Sequence, residues 1–136
     1  MKLRILVQKY GGSSVKDTDC IKRVAARLIR ARNEGYGVIA VVSAMGDTTD
    51  ELIAKARQLT SRPPRRELDM LLSTGEQISI ALLAMAVDSM GYPVVSLTGS
   101  QVGIRTDDVH TKARIRHVDT ARLREELDAG RIVIVA

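Results

Sequence analysis

Three short polar stretches hold the residues best suited to chemistry: KYGGSS from Lys9, SAMGDTTDE from Ser43 and STGEQIS from Ser73. In the first, Gly11 and Gly12 let the backbone approach a ligand closely and permit positive φ. Lys9 adds a full positive charge. A helix starting just after the turn would offer unpaired amides and a favourable dipole to a phosphate. The stretch is neither a Walker loop nor a dinucleotide fingerprint. The alternative is a tight strand-to-helix turn beside a lysine whose stem lies along the surface.

The second stretch sets the hydroxyls of Ser43, Thr48 and Thr49 beside backbone amides. Equally, Asp47, Thr48 or Thr49 could cap a helix over 50–59, with Asp50 and Glu51 in its first turn. In the third, Glu76 lies between apolar Leu71 and Leu72 on one side and Ile78 and Ile80 on the other. A carboxylate in such surroundings must be paired or reach an open cleft, where it could bind an ammonium group. The alternative is a capping box from Ser73 to Glu76. Arg105, in GIRTDD, has the fork geometry for a carboxylate or phosphate. His110 and His117 stand apart from any metal or catalytic motif and read as surface residues.

These stretches need a scaffold. Leu3 to Val7 reads as a strand. Val15 to Asn33 has Ile21, Val24, Ala25, Leu28 and Ile29 at helical spacing, with Arg and Lys opposite. Asp17 or Asp19 would cap or charge its first turn, and Gly35 and Gly37 would end it. Val38 to Val42 is a continuous β-branched run, the pattern of a strand buried on both faces. A short helix over 50–59 is broken by SRPPRR. Residues 67–90 have helical period, interrupted at Ser73, Thr74 and Gly75 and stopped at Gly91. Pro93 to Leu97 is a strand, 99–108 an irregular hairpin or loop, 120–127 a helix and Ile132 to Val135 a strand. Alternation of this kind predicts α/β architecture with a mostly parallel sheet and right-handed crossovers. Loops at the carboxyl ends of its strands face one side, so Lys9, Ser43 and Thr49 are expected to converge.

The chain has 136 residues, 45% hydrophobic and 27% charged, which suits one globular domain. With no Trp or Phe and three Tyr, its core must be aliphatic. A net charge of +5 raises nucleic acid as a partner, but the basic residues are dispersed and there are too few aromatics for a stacking platform. No nucleic-acid partner is expected; anionic small molecules are. Cys20 is the single cysteine, which leaves no intramolecular disulfide and no thiolate metal cluster. It reads as a packing residue in a reducing compartment. The longest uninterrupted apolar run, Ile80 to Val87, is too short to span a bilayer, and no secretory signal pattern is evident. A cytoplasmic protein with no membrane partner is expected.

VQKYGGSSV, VVSAMGDTTDEL, ELDMLLSTGEQISIALLAMA, TGSQVGIRTDD and GRIVIVA together resemble, in order and spacing, the motifs of the aspartokinases. The resemblance covers essentially the whole chain. It implies the amino acid kinase fold, a three-layer α/β/α sandwich with a mainly parallel central sheet. It also implies transfer of the ATP γ-phosphoryl group to the β-carboxylate of L-aspartate, the first step toward lysine, threonine and methionine. By that resemblance Lys9 stabilises charge on the transferring phosphoryl group. Gly11, Gly12 and Ser13 offer hydrogen bonds to the phosphates. Ser43, Thr49 and Glu76 hold aspartate, with Glu76 suited to its α-ammonium, and Mg²⁺ travels with ATP. The family pattern continues past GRIVIVA into a nucleotide-binding half and then ACT regulatory domains. The resemblance therefore implies that residues 1–136 are the N-terminal part of a catalytic domain, inactive alone. An incomplete sheet, or homo-oligomer formation, would favour self-association. A non-catalytic subdomain, or a kinase acting on glutamate or acetylglutamate, is the alternative.

Overall fold

A computed structural model describes residues 3–136. In chain order the elements are β1 (Arg4–Tyr10), a 3-10 turn (Gly12–Val15), α1 (Thr18–Asn33), β2 (Tyr36–Val42), α2 (Thr48–Leu59) and α3 (Arg65–Ser89). They continue with β3 (Val94–Leu97), β4 (Ile104–Thr106), β5 (Ile115–Val118), α4 (Ala121–Asp128) and β6 (Ile132–Val135). The main sheet has the order β1-β2-β6-β3, and every pairing in it is parallel. β4 and β5 form a separate antiparallel hairpin.

The side-chain alternation of the strands sorts the core into two layers. Val38, Ala40 and Val42 of β2 and Ile132 and Ile134 of β6 face α1 and α3, meeting Ile21, Val24, Leu28, Ile80, Leu83 and Val87. Ile39, Val133 and Val135 face the other way, toward Leu127 of α4, Leu97 and Val102. The sheet is thus covered by helices on both sides, as an α/β/α sandwich requires. β6 is buried at every position, as its unbroken IVIV run predicts. β1 differs. As an edge strand it buries Tyr10 toward α1, while Ile5, Val7 and Lys9 lie exposed on the opposite face.

Several expectations need correction. Ser73, Thr74 and Gly75 do not interrupt the third helix, which runs unbroken from Arg65 to Ser89. The hydroxyls of Ser73 and Thr74 instead donate to the carbonyls of Met70 and Leu71, at 2.8 and 2.7 Å, one turn back in the helix. Gly37 does not end α1; it is a residue of β2. A Cβ there would stand 2.7 Å from Leu3 Cδ2, so the glycine makes room for that side chain. Gly35 alone, at φ 90°, ends the helix. β1 extends beyond Val7 through Lys9 to Tyr10, because the whole of 4–10 pairs in register with 36–42. The hairpin takes in 115–118, a strand exposed at every position and without the alternating burial of a core strand.

α3 is also long and apolar enough to cross a membrane by length and mean hydropathy. Its buried face, Gly75, Ser79, Ile80, Leu83 and Val87, packs in the core of the domain.

Candidate site at the carboxyl end of the sheet

Lys9 is the penultimate residue of β1, paired in register with Val41 and exposed. The chain then leaves the sheet at the point where the Ser43 amide donates to the Tyr10 carbonyl at 3.0 Å. The first two loops are stitched again further out, where the Gly46 amide donates to the Gly12 carbonyl, also at 3.0 Å. This close approach explains Gly12. A Cβ on it would come within 2.9 Å of the Ala44 carbonyl oxygen and 3.1 Å of that of Gly46. Its role is loop-to-loop packing, and neither Gly11 nor Gly12 uses a positive φ. Gly11 is extended, with no heavy atom within 4 Å of where a Cβ would stand.

The helix offered to an anion is not the expected one. The N-terminus of α1 is already closed by Asp17, whose carboxylate accepts from the Cys20 amide at 2.7 Å. This bond holds the Asp17 carboxyl below its usual range. The amides that remain are those opening the 3-10 turn at Gly12 and Ser13, which by position have no partner within the turn.

The second loop docks on α3 through another glycine. A Cβ on Gly75 would stand 3.1 Å from the Ala44 Cβ and 3.4 Å from the Thr48 Cγ2. One residue on, Glu76 is half-buried in mid-helix, and among the described residues it forms no ion pair. The capping-box reading of Ser73 and Glu76 fails, because neither begins a helix. Capping of α2 by its own loop fails as well. Asp47 occupies the cap position without a side-chain hydrogen bond, leaving the loop's hydroxyls outside that role. Ser43 and Thr49 are half-buried beside it. The structure thus links the stretches carrying Lys9, Gly11, Gly12, Ser13, Ser43, Thr49 and Glu76 into one continuous end of the sheet. Arg105 and His117 lie opposite each other in the exposed hairpin, and His110 Nδ1 meets Asp69 Oδ2 at 2.8 Å.

A basic lining beside the first loop is absent from the sequence reading. A cavity of about 220 Å³ lies between the 3-10 turn and α1, lined by Tyr10, Ser13, Ser14, Cys20, Arg23, Val24 and Arg27. A wider groove continues along Gln8, Lys9, Arg27 and Arg30. Burial raises the Tyr10 hydroxyl above its ordinary pKa, with the positive charges of Arg27 and Arg30 opposing that rise. The signal was the spacing of Arg23, Arg27 and Arg30, one helical turn apart, which reads as a solvated face until β1 is set beside it.

The amino acid kinase family model matches residues 4–136. The chain is 56% identical over 132 residues to an aspartokinase of Geobacillus stearothermophilus, covering 97% of this chain and 32% of that protein. Against an aspartokinase of Mycolicibacterium smegmatis the identity is 53%, with 98% and 32% covered. An aspartate kinase structure from Synechocystis superposes with a TM-score of 0.85 at 47% identity, covering 97% of this chain and 21% of that one. Aspartokinase III of E. coli, solved with aspartate and ADP, shares the fold at a TM-score of 0.82 and 20% identity, covering 97% and 40%. The chain spans about a third of the length of the curated relatives it matches. With its parallel sheet, its two helical layers and a match from Arg4 to Ala136, the chain belongs to the amino acid kinase family.

Proposed function

We propose that the chain is the N-terminal part of the catalytic domain of an aspartate kinase, which transfers the ATP γ-phosphoryl group to the β-carboxylate of L-aspartate. One observation carries this reading: the loops after β1 and β2 and the middle of α3 meet, through Gly12 on Ala44 and Gly46 and Gly75 on Ala44 and Thr48. An amide-bearing turn with a lysine, a hydroxyl-bearing loop and a helix with an unpaired carboxylate become neighbours. Lys9 neutralises charge on the transferring phosphoryl group. Gly11, Gly12 and Ser13 bind phosphate oxygens through amides and a hydroxyl. Ser43 and Thr49 hold aspartate, and Glu76 takes its α-ammonium. The identity to aspartokinases supports that assignment.

The chemistry asks little of a general base. A side-chain carboxylate with a pKa of ~3.9 is ionised at neutral pH and is already the nucleophile. What the reaction needs is alignment of the two substrates and stabilisation of charge on the phosphoryl oxygens. Removing Lys9 should cost ~3–4 kcal/mol of transition-state stabilisation, by analogy with loss of an oxyanion donor. Among the described residues, no group of three or more His, Cys, Asp or Glu side chains is placed to hold a metal ion. In this reading Mg²⁺ arrives bound to ATP, and the residues of this chain act on the phosphates. A cytoplasmic place at the head of lysine, threonine and methionine synthesis follows from the same proposal. In this reading the nucleotide-binding half and the ACT regulatory domains lie in the part of the whole protein outside these 136 residues.

Calorimetric titration of the chain with L-aspartate and L-glutamate tests the substrate. Aspartate should bind, more tightly than glutamate. Glu76→Gln should weaken it at least ~10-fold, through loss of a charged hydrogen bond of about 1.5–3 kcal/mol. Tighter binding of glutamate would overturn the assignment. An ADP-release assay with aspartate and Mg-ATP tests the division of labour. The 136 residues alone should not turn over, and turnover that Lys9→Ala abolishes would refute that part only.

A further inference from the structure

We propose that the cavity between the 3-10 turn and α1 binds a phosphate group, held by the guanidinium groups of Arg23 and Arg27 and the hydroxyl of Ser14. The site does not depend on the phosphoryl-transfer reading, which uses none of these three side chains. At about 220 Å³ the cavity is several times the ~30 Å³ that one water occupies. Its lining holds two cations and no carboxylate. The positive charge continues into the adjoining groove through Lys9, Arg27 and Arg30, with Glu34 as the one carboxylate there. Among the described residues the side chains of Arg27 and Arg30 make no hydrogen bond and no ion pair, and Arg23 donates only to the Cys20 sulfur, at 3.0 Å. The charges of Arg27 and Arg30 act on the Tyr10 hydroxyl, so these side chains turn toward β1 and not outward.

Such a row works against its own helix. Like charges three and four residues apart repel, and positions 23, 27 and 30 are spaced in that way. The acids at the start of α1 are engaged elsewhere: Asp17 accepts from the Cys20 amide, and Asp19 lies 4.0 Å from Lys22. An anion taken from solution would relieve the repulsion. Guanidinium forks match the oxygens of a phosphate, and two of them on successive turns reach a tetrahedral group from different directions. Ser14 adds a neutral donor: its amide is spent on the Gly11 carbonyl, but its hydroxyl is free to turn. The Tyr10 hydroxyl is not available, since it donates to Gln8 Oε1 at 2.6 Å. The Tyr10 ring is buried, and the remaining apolar lining is Cys20 and Val24. No flat apolar surface is left for a nucleotide base, so the cavity takes the phosphate group alone. That group is free orthophosphate or the end of a larger ligand.

The test is a titration of the chain with sodium phosphate at constant ionic strength, read from arginine Nε–Hε signals in ¹H–¹⁵N spectra. The Arg23 and Arg27 signals should shift saturably in the millimolar range. Those of Arg65 and Arg105, outside the cavity, should only drift. Arg27→Gln should weaken the response at least ~10-fold through loss of a charged hydrogen bond. Both residues are good helix formers at this exposed position, and circular dichroism should be unchanged. Arg27→Lys should stay about 3-fold weaker than the parent chain, because an ammonium lacks the fork. Arg27→Gln should leave aspartate binding intact, and Glu76→Gln should leave the phosphate response intact, so this site and the transfer reading fail separately. ADP as a second titrant identifies the source. Shifts of the same two signals by ADP as well as by phosphate mark the end group of a larger ligand; shifts by phosphate alone mark orthophosphate. Equal, unsaturable shifts at all arginines would overturn the proposal. So would a response that survives Arg27→Gln, one that Arg27→Lys fully restores, or one given by ADP and not by phosphate.

Discussion

α1 and α3 lie on the same side of the sheet and bury leucines against the same core, yet they are built differently. α1 is capped by Asp17, carries Cys20, Ile21, Val24, Ala25, Leu28 and Ala31 on one face, and puts its arginines on the other. Its period alone says which side is inside. α3 begins after Pro64 without a side-chain cap and is apolar on both sides. Its period cannot choose between Leu83 and Met85. The choice is made at Gly75, where the backbone of α3 comes close enough to Ala44 and Thr48 to bring Glu76 to the loop after β2. α1 is placed by its own period; α3 is placed by the backbone that Gly75 lets in.

The largest effects should come where the two helices are alike. Leu28→Ala and Leu83→Ala each remove a fully buried side chain and should each lose about 2–5 kcal/mol in urea unfolding, through lost transfer energy and the cavity left behind. A much smaller loss in α3 than in α1 would mean that the assignment of its inner face is wrong.

Gly75→Ala separates the helices more finely. In a free helix the change gains about 1 kcal/mol. Here the added Cβ meets Ala44 at 3.1 Å, and overpacking of this kind costs about 1–3 kcal/mol. Net destabilisation of about 1 kcal/mol is expected, together with weaker aspartate binding as the loop from Ser43 to Thr49 is pushed outward. A stabilised variant with unchanged binding would break the link between α3 and that loop.

α4 offers a third helix, only eight residues long, held differently again. Its buried Glu126 accepts from Arg122 and from Arg131, the residue just before β6. The Arg131 hydrogen bond, with help from Arg122, holds the Glu126 carboxyl below its ordinary range against the opposing effect of burial. A lowered folded pKa means that the unfolded chain binds the proton more readily. The stabilisation is therefore complete above the ordinary carboxylate value and is lost as pH falls through the folded one. Glu126→Gln should flatten the acid limb of the stability–pH curve. Asp17→Asn should do so too, for the same sign of shift at the α1 cap. An unchanged acid limb in both variants would show that neither carboxylate contributes. The smallest effects belong to outer faces: Lys22→Ala on α1 and Met85→Lys on α3 should each stay within about 0.5 kcal/mol.

Much of this was legible in the residues. The β-branched runs at 38–42 and 132–135 have the strand pattern, and both lie in the parallel sheet. The polar stretches were recognisable as candidates, but their reasons for being glycine-rich were not. Gly12, Gly37 and Gly75 each give way to a partner distant in sequence: Ala44 with Gly46, Leu3, and Ala44 with Thr48. Local rules supply φ preferences and caps, so they suggested turns, helix stops and a capping box in those places. The hairpin strand 115–118 was illegible for a related reason: it is exposed throughout and has no periodicity to read.

By itself the sequence determined the strands of the main sheet, the parallel α/β class, the aliphatic core and the inward face of α1, because these follow from period and chemistry within a few residues. Tertiary structure alone decided that α3 runs unbroken, that Gly12 and Gly75 join two loops and the middle of α3 into one surface, that Asp17 closes α1 to anions, and that Arg23 and Arg27 share a cavity with Ser13. Each of these depends on which backbone comes close to which, and no local preference of the chain specifies that.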